Sequence, residues 1–370
     1  MLNGKSIAVV VPCYNEEKQI GMVIETMPKF VDRIIIVNDK SKDNMNDVVK
    51  GFWSTKYNQS ELSFLDSTKA VFEKDEFNYN HADFLIYEKN IEEKSKFTAS
   101  KIENELESSD RIVLINHLEN GGVGAAIATG YKWCKDFKID CTAVMAGDGQ
   151  MDPGELESIC LPVINEGVDY VKGNRLKHPS AWFAIPKTRF FGNSALSIMN
   201  KLASGYWRIS DTQTGYTATS LKALEAVQLY KIYPRYGMPN DFLVKLNIAE
   251  CSIREIVIKP VYNVGEQSKM KVFKVIPKIS FLLLKSFFKR LWVKYFFKDF
   301  HPLFLFYNLS FFLGIIGFGY GLKIAYLWIF AVREINTLTI LAFLFLSVTS
   351  LQLFFFGMWL DIQDNQRLYK

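Results

Sequence analysis

Two stretches near the carboxyl end, Leu303 to Leu322 and Thr337 to Leu360, carry no charged side chain. A helix rises about 1.5 Å per residue, so about 20 apolar residues suffice to cross a hydrocarbon core of about 30 Å. Two such runs in tandem, rich in Phe, Leu and Ile, predict a transmembrane hairpin over about 303–325 and 337–360 rather than a pair of core helices. Immediately upstream, Phe281, Leu284, Phe288, Leu291, Trp292 and Tyr295 fall on one helical stripe, with Lys289, Arg290 and Lys294 opposite. That pattern predicts an amphipathic segment over 269–300 resting in the headgroup layer, its cations toward anionic lipid. A helix packed on the preceding domain is the alternative. The basic flank orients the hairpin so that both chain ends and the domain before it face the cytoplasm. The opening apolar run is too short for a signal peptide and already serves as a strand.

The first 268 residues have a different rhythm, with short apolar strands alternating with helical periods. SIAVVVPCYNEE reads as a strand, a Pro turn and an acidic helix start. Ile20, Val23, Ile24 and Met27 then recur at the spacing of one buried helix face. A second strand, Ile34 to Val37, ends at Asn38 and Asp39. In open parallel sheets ligands lie beyond such carboxyl ends, where a carboxylate accepts hydrogen bonds from a base or ribose; a turn aspartate is the bland alternative. A third strand, Arg111 to Ile115, leads to ENGGVGAAIATGY, with Gly121, Gly122 and Gly124 just before a small-residue helix. A helix amino terminus attracts phosphate, but clustered glycines also make plain tight turns. Read from Gly122, the run misses the dinucleotide fingerprint, whose last glycine would fall on Ile127.

A fourth strand ends in VMAGDGQMDP, Val144 to Pro153. Carboxylate and amide oxygens at Asp148, Gln150 and Asp152 suit Mg2+ or Mn2+, hard ions that share substrate phosphates rather than filling an all-protein cage.

Taken together, these segments resemble the inverting family-two glycosyltransferases of the GT-A type, especially those acting on polyprenyl or dolichyl phosphate. The likeness runs from the amino terminus to about Lys269, apart from one insert. P-x-Y-N-E appears as Pro12, Tyr14, Asn15 and Glu16, and V-D-D-G-S-x-D as VNDKSKD, keeping Asp39, Ser41 and Asp43. N-x-G-x-G-A-A appears as NGGVGAA, D-A-D-G-Q as AGDGQ, G-x-R as Gly173 to Arg175, and D-x-x-x-G-F as DTQTGY from Asp211. Ala146 stands where the family's first metal-site aspartate stands, so the metal would lean on Asp148. Asn38 and Lys40 also depart, and Asn263 stands near a position the family often fills with a basic residue.

The resemblance implies an α/β GT-A, Rossmann-like fold, followed by the amphipathic segment and the hairpin. It implies that Pro12, Tyr14, Glu16, Asp39, Gly122, Arg175 and Lys269 line the donor site for a UDP- or GDP-linked sugar, with Asp148, Gln150 and Asp152 around the ion. A lipid phosphate acceptor is largely ionised at pH 7 and needs no strong base; cations must instead hold two anionic substrates together, and Arg175, Arg189 and Lys269 are the candidates. A hydroxyl acceptor would require a general base, for which Asp241 is the choice, although a helix-start carboxylate explains it equally well. Asp211 either orients the acceptor or closes a turn. The expected activity is inverting transfer of one sugar to polyprenyl phosphate at the cytoplasmic face. Transfer to a glycolipid or polysaccharide hydroxyl, or a non-catalytic nucleotide-sugar-binding scaffold made thinkable by Ala146, are the alternatives.

A polar, charged insertion separates the second and third strands from about Gly51 to Ser109, within which Lys96 to Glu107 is expected as a short helix. The five cysteines are scattered without metal-ligand spacing. The net charge of +5 gathers near the membrane segments, which argues for phospholipid contact and gives no case for nucleic acid.

Overall fold

A computed structural model describes residues 1–53, 81–103, 111–261, 272–330 and 334–370. The apolar run Ile7–Cys13 forms strand β1, buried along its whole length. It pairs in parallel with β2 (Arg33–Asn38), and β2 pairs in parallel with β4 (Ile112–His117). On its other side β1 meets β5 (Cys141–Val144), again in parallel. Strands this uniformly apolar need cover on both faces. Alternate β1 residues divide accordingly: Ala8 and Val10 face one cluster, Ile7, Val9 and Val11 the other. Helices α1 (Glu17–Glu25), α2 (Met45–Lys50) and α5 (Leu156–Glu166) cover the second face. Helices α4 (Val123–Asp136), α8 (Leu221–Ala226) and α9 (Met238–Ile248) cover the first. Helix α4 lies so near β1 that a Cβ on Gly130 would run into the Val10 side chain.

The remaining strands complete an eight-stranded sheet in the order β3-β4-β2-β1-β5-β7-β6-β8. β7 (Thr217–Ser220) runs antiparallel between β5 and β6 (Tyr170–Asn174), and β8 (Ile253–Val257) is parallel to β6. The edge strand β3 (Ser100–Ile102) corrects the expectation of a helix over Lys96–Glu107. An uncovered β4 would leave a row of unpaired backbone groups, and this segment takes them up: Glu103 N donates to Leu114 O at 2.9 Å and Leu118 N to Ala99 O at 2.8 Å. The helix of this region lies upstream as α3 (His81–Lys94). Two more helices, α6 (Ala181–Ala184) and α7 (Lys187–Ser204), follow β6.

Beyond the sheet come α10 (Val272–Trp292), a π-helical turn at Val293–Lys298, and the two long helices α11 (Pro302–Phe330) and α12 (Thr337–Asn365). Both long helices have the length and apolar character to cross a membrane. They pack along a line of small residues: Ser310 and Ser350 exchange hydroxyl-to-carbonyl bonds at 2.8 and 2.9 Å, and Gly314, Gly317 and Gly321 on α11 face Ser350, Leu346 and Phe343 of α12. Small residues permit the close approach that helix pairs in lipid depend on.

The basic side of the amphipathic stripe departs from expectation. Lys289 is exposed, but Arg290 and Lys294 are buried, because each meets a carboxylate near the end of α12. Arg290 forms a two-pronged pair with Asp361 (2.7 and 2.8 Å), and Lys294 pairs with Asp364 at 3.2 Å. The Arg290 guanidinium also donates to the carbonyls of Ala203 and Leu202, both at 3.0 Å, capping the carboxyl end of α7 just before Gly205 in its left-handed conformation (φ 77°). Asn365 bonds Asn247 of α9 at 2.7 Å, and Tyr369 pairs with Ile253 of β8. The start of α11 and the end of α12 are thus both fastened to the sheet-bearing domain, so the hairpin leaves and returns on the same side.

Candidate functional site

The chain runs from β1 outward to β2 and β4 on one side and to β5 on the other, so the order reverses at the β1–β5 pair. A crevice beyond the carboxyl ends of strands at such a reversal is where open α/β sheets take ligands. Here the turn after β1 meets the turn after β5. A Cβ on Gly147 would run into the Glu16 carboxylate and Cys13 Sγ, so these two turns lie in close contact. Burial raises the Cys13 thiol well above its usual range, and the negative charges of Glu16, Asp148 and Asp43 push it further the same way. Three carboxylates, those of Glu16, Asp148 and Asp43, thus lie around the Cys13 thiol.

Asp148 Oδ1 accepts from the Gln150 backbone N–H at 3.0 Å across Gly149, itself left-handed (φ 74°). Asp152 lies beyond this turn with its groups engaged: Oδ1 accepts from Gly154 N at 2.8 Å, Oδ2 lies 3.7 Å from Lys259 Nζ, and its carbonyl accepts from Tyr216 OH at 2.9 Å. Among the described residues no three His, Cys, Asp or Glu side chains converge as a metal cage. The donor chemistry around Asp148, with Glu16 as neighbour, nevertheless fits a hard divalent ion of the kind that uses one or two carboxylates and draws its other oxygens from substrate and water.

The second lip joins the turns after β1 and β2. Asn15, left-handed at φ 55°, donates its N–H to Ser41 Oγ (3.0 Å) and accepts from Lys42 N through its side chain (2.8 Å). Glu17 N donates to Asp43 Oδ2 at 2.9 Å. Pro12 is buried next to the end of β1, while Tyr14 is half-buried at the rim.

Asp39 is buried, and its carboxylate accepts from Gly121 N and Gly122 N, each at 2.8 Å, and lies 2.8 Å from His117 Nδ1. His117 Nε2 meets Thr129 Oγ1 of α4 at 2.9 Å. Burial alone would raise the Asp39 carboxyl; the bonds from His117 and the two glycine amides outweigh it and hold the group below its usual range. The next amides, Gly124 N and Ala125 N, donate to Pro234 O at 2.8 and 3.1 Å. The glycine run is thus a tight turn whose amides find partners inside the chain: a Cβ on Gly124 would strike the Tyr233 carbonyl, and Gly122 sits at φ 92°.

Arg175, just past β6, clasps the fully buried Asp211 through Nε at 2.9 Å and Nη2 at 3.2 Å. Burial raises the Asp211 carboxyl, but Arg175 and Lys172 bring it below its usual range. Lys172 is buried beneath, donating to Thr214 O at 2.6 Å, and burial pushes its ammonium down to about 8. Glu255 accepts from the N–H groups of Ser210 and Asp211 and from Asn174 Nδ2. Asp241, in the first turn of α9, accepts from Tyr233 N at 2.8 Å and pairs with Lys245. Arg189 belongs to the first turn of α7, its side chain outside the described part, and Lys269 lies outside the described residues altogether.

The structure thus gathers Pro12, Tyr14, Glu16, Asp39, Asp148 and Gln150 around one crevice, with Arg175 and Asp211 clasped at the end of β6. His117 went unread in the sequence although it ends a strand, the rule that singled out Asp39. Glu255 and the Pro234 carbonyl carry no local signal.

Residues 8–69 and 86–228, more than half of the chain, match the family described as Glycosyl transferase family 2. The chain belongs to that family. It is a glycosyltransferase with a GT-A-type sheet. The chain is similar to the UDP-N-acetylglucosamine–dolichyl-phosphate N-acetylglucosaminyltransferase of Methanococcus voltae, 29% identical over 260 residues, covering 70% of this chain and 87% of the relative. It is 23% identical over 269 residues to an uncharacterised protein of Methanocaldococcus jannaschii, covering 72% and 86%. Among solved structures, glucosyl-3-phosphoglycerate synthase from Mycobacterium tuberculosis, crystallised with Mn2+, UDP and glucosyl-3-phosphoglycerate, aligns over 78% of this chain and 80% of its own, with 14% identity and a TM-score of 0.46.

Proposed function

We propose that this glycosyltransferase moves one sugar, with inversion, from a nucleoside-diphosphate donor to a polyprenyl phosphate, at the cytoplasmic face of the membrane. The observation that carries the reading is the mounting of the donor crevice. The domain that forms it is fastened to two apolar helices of membrane-spanning length: α10 and the turn after it through Arg290–Asp361 and Lys294–Asp364, α9 through Asn247–Asn365, and β8 through the Ile253–Tyr369 bridge. An acceptor whose chain is dissolved in lipid must be met there. The Methanococcus relative, named for UDP-N-acetylglucosamine and dolichyl phosphate, supports UDP-N-acetylglucosamine as the first donor to try. The exposed Lys278, Lys285, Lys289 and Lys298 before the first long helix support the cytoplasmic orientation.

In this reading the turns after β1 and β2 receive the nucleoside, and Asp148 with Gln150 would hold Mg2+ or Mn2+ against the diphosphate. The ion, when bound, neutralises charge growing on the leaving diphosphate. Arg175, its fork fixed by Asp211, presents positive charge to an anionic substrate at the end of β6, and Arg189 and Lys269 are the further candidates. The acceptor phosphate oxygen, already ionised, attacks the sugar from the face opposite the diphosphate. No base is required, in keeping with an Asp241 carboxylate already engaged by Tyr233 N–H and Lys245.

The test is transfer of radiolabelled sugar from UDP-N-acetylglucosamine to dolichyl phosphate in membranes holding the full chain, with and without chelator. Failure to form an organic-extractable, mild-acid-labile product from UDP- and GDP-sugars alike would remove the lipid phosphate acceptor.

A further inference from the structure

Helix α7 has an outer face that a water-exposed enzyme surface does not explain. Phe191 and Ile198, two turns apart on one stripe, are 60% and 68% exposed, and Met199 adjoins them. Just before the helix, Trp182 and Phe183 stand out from α6, Phe183 with 87% of its surface open. The Trp182 ring packs edge-on against Phe190 and Phe191, and Lys187 lies over it with Nζ 5.8 Å from the ring centre. The inner face of α7 is ordinary core, with Leu196 and Ala203 buried. Contiguous exposed apolar surface of this extent marks a contact site rather than a free face.

What covers it follows from its neighbours. Helix α10 lies alongside α7, Ser280 Oγ being 3.6 Å from Met199 Sδ. The outward residues of α10 are apolar too, Phe281 being 70% exposed and Leu284 about half. Further along, the rings of Phe287 and Phe288 meet Phe311 at 6.0 and 5.3 Å. Phe311 is nine residues into α11, so about 13 Å along that helix at 1.5 Å per residue. This part of α10 is therefore level with the membrane helix, and one buried cluster runs unbroken from Leu196 of α7 through α10 to Leu303 and Tyr307 of α11.

We propose that the outer stripe of α7, with the Trp182–Phe183 projection, is a second bilayer-contacting face, dipping beside α10 into the headgroup boundary of the leaflet that the hairpin enters. The proposal rests on α11 and α12 being membrane spans. The chemistry fits an interfacial element: aromatic and aliphatic side chains enter the acyl boundary, and Lys187 beside Trp182, like Lys285 and Lys289 on α10, stays with anionic headgroups. Helix α7 also reaches the Arg175–Asp211 clasp, its Ser197 Oγ lying 3.1 Å from Thr212 Oγ1, so a polyprenyl phosphate lifted from the leaflet would approach the crevice along α7.

The test uses the full chain in nanodiscs of phosphatidylcholine and phosphatidylglycerol, spin-labelled at Phe183→Cys or Ile198→Cys. The five native cysteines are buried, so labelling is directed to the introduced thiol. Phe318→Cys on the first span and Lys29→Cys, exposed in the turn between α1 and β2, serve as references. Collision of the label with oxygen over a water-soluble nickel chelate should exceed the Lys29→Cys ratio by about threefold or more at both positions, approaching Phe318→Cys. With Phe318→Cys in lipid, nickel access at both positions equal to Lys29→Cys overturns the proposal. Labels shielded from both reagents overturn it in favour of a second protein copy. A water-exposed Phe318→Cys removes the spans themselves and this inference with them.

Discussion

Arg290→Met isolates what the buried junction contributes. The side chain is wholly buried and serves three partners: the Asp361 carboxylate through both of its oxygens, the last carbonyls of α7 at Leu202 and Ala203, and the Tyr295 hydroxyl at 3.3 Å. Methionine fills similar volume but supplies no donor. The Asp361 carboxylate is left buried with Tyr295 OH at 3.0 Å and Asn365 Nδ2 at 2.7 Å as its remaining polar contacts, and the α7 terminus loses its cap. Breaking one side of a buried pair costs about 3–5 kcal/mol, because the surviving charge is stranded. In a chain of this size that lowers the unfolding midpoint by about 4–6 °C. Replacing both partners, Arg290→Met with Asp361→Leu, removes the stranded charge and should restore most of the loss. The assay is thermal unfolding in nanodiscs at one fixed scan rate, since membrane proteins commonly unfold irreversibly. A single variant whose midpoint stays within about 1 °C of the parent, or a double variant no better than the single, refutes the account.

Other changes follow from the same structure. Asp148→Asn should lower kcat by about 10²–10³-fold with little change in midpoint, since it removes a charge from the crevice and leaves the packing intact; unchanged turnover and cation dependence would remove Asp148 from the reaction. Asp241→Asn should act on stability, by about 1–3 kcal/mol, through weakened bonds to Tyr233 N–H and Lys245; a large fall in kcat at unaltered stability would reinstate it as a base. Gly130→Ala forces a methyl into Val10 and should cost about 1–3 kcal/mol, measured by the same melting assay. Asp39 has a depressed carboxyl pKa in the fold, so its stabilisation is present above the unfolded value near 4 and disappears as pH falls through the folded one. Asp39→Asn should therefore flatten the acid limb of the stability profile, and an unchanged limb would show that the carboxylate is not held ionised.

What the sequence made legible was what is local. The β1, β2 and β4 runs are rich enough in Val and Ile to announce a buried parallel sheet, and the two uncharged stretches announce their helices. The edge strand β3 was unreadable, because Ser100–Ile102 is extended only where β4 offers it a ladder. The amphipathic pattern of α10 misdirected for a related reason. Arg290 and Lys294 look like lipid-facing cations until Asp361 and Asp364, some 70 residues later, come alongside. At the crevice, strand-end position singled out Asp39 and Asp148, which the structure places beyond the ends of the two strands that flank β1. That the glycine-run amides go to Asp39 and to Pro234 depends on two turns distant in the chain, and no spacing rule reports it.

The way the hairpin is fastened also bears on how substrates arrive. A domain on a flexible leash would sweep a hemisphere of solvent and find its partners by reach. This one has α7, α9, α10 and β8 all tied to the same pair of helices, so the crevice keeps a constant altitude. With the lipid phosphate acceptor proposed above, encounters would depend on lateral diffusion within one monolayer, and the rate would follow acceptor surface density rather than its bulk concentration.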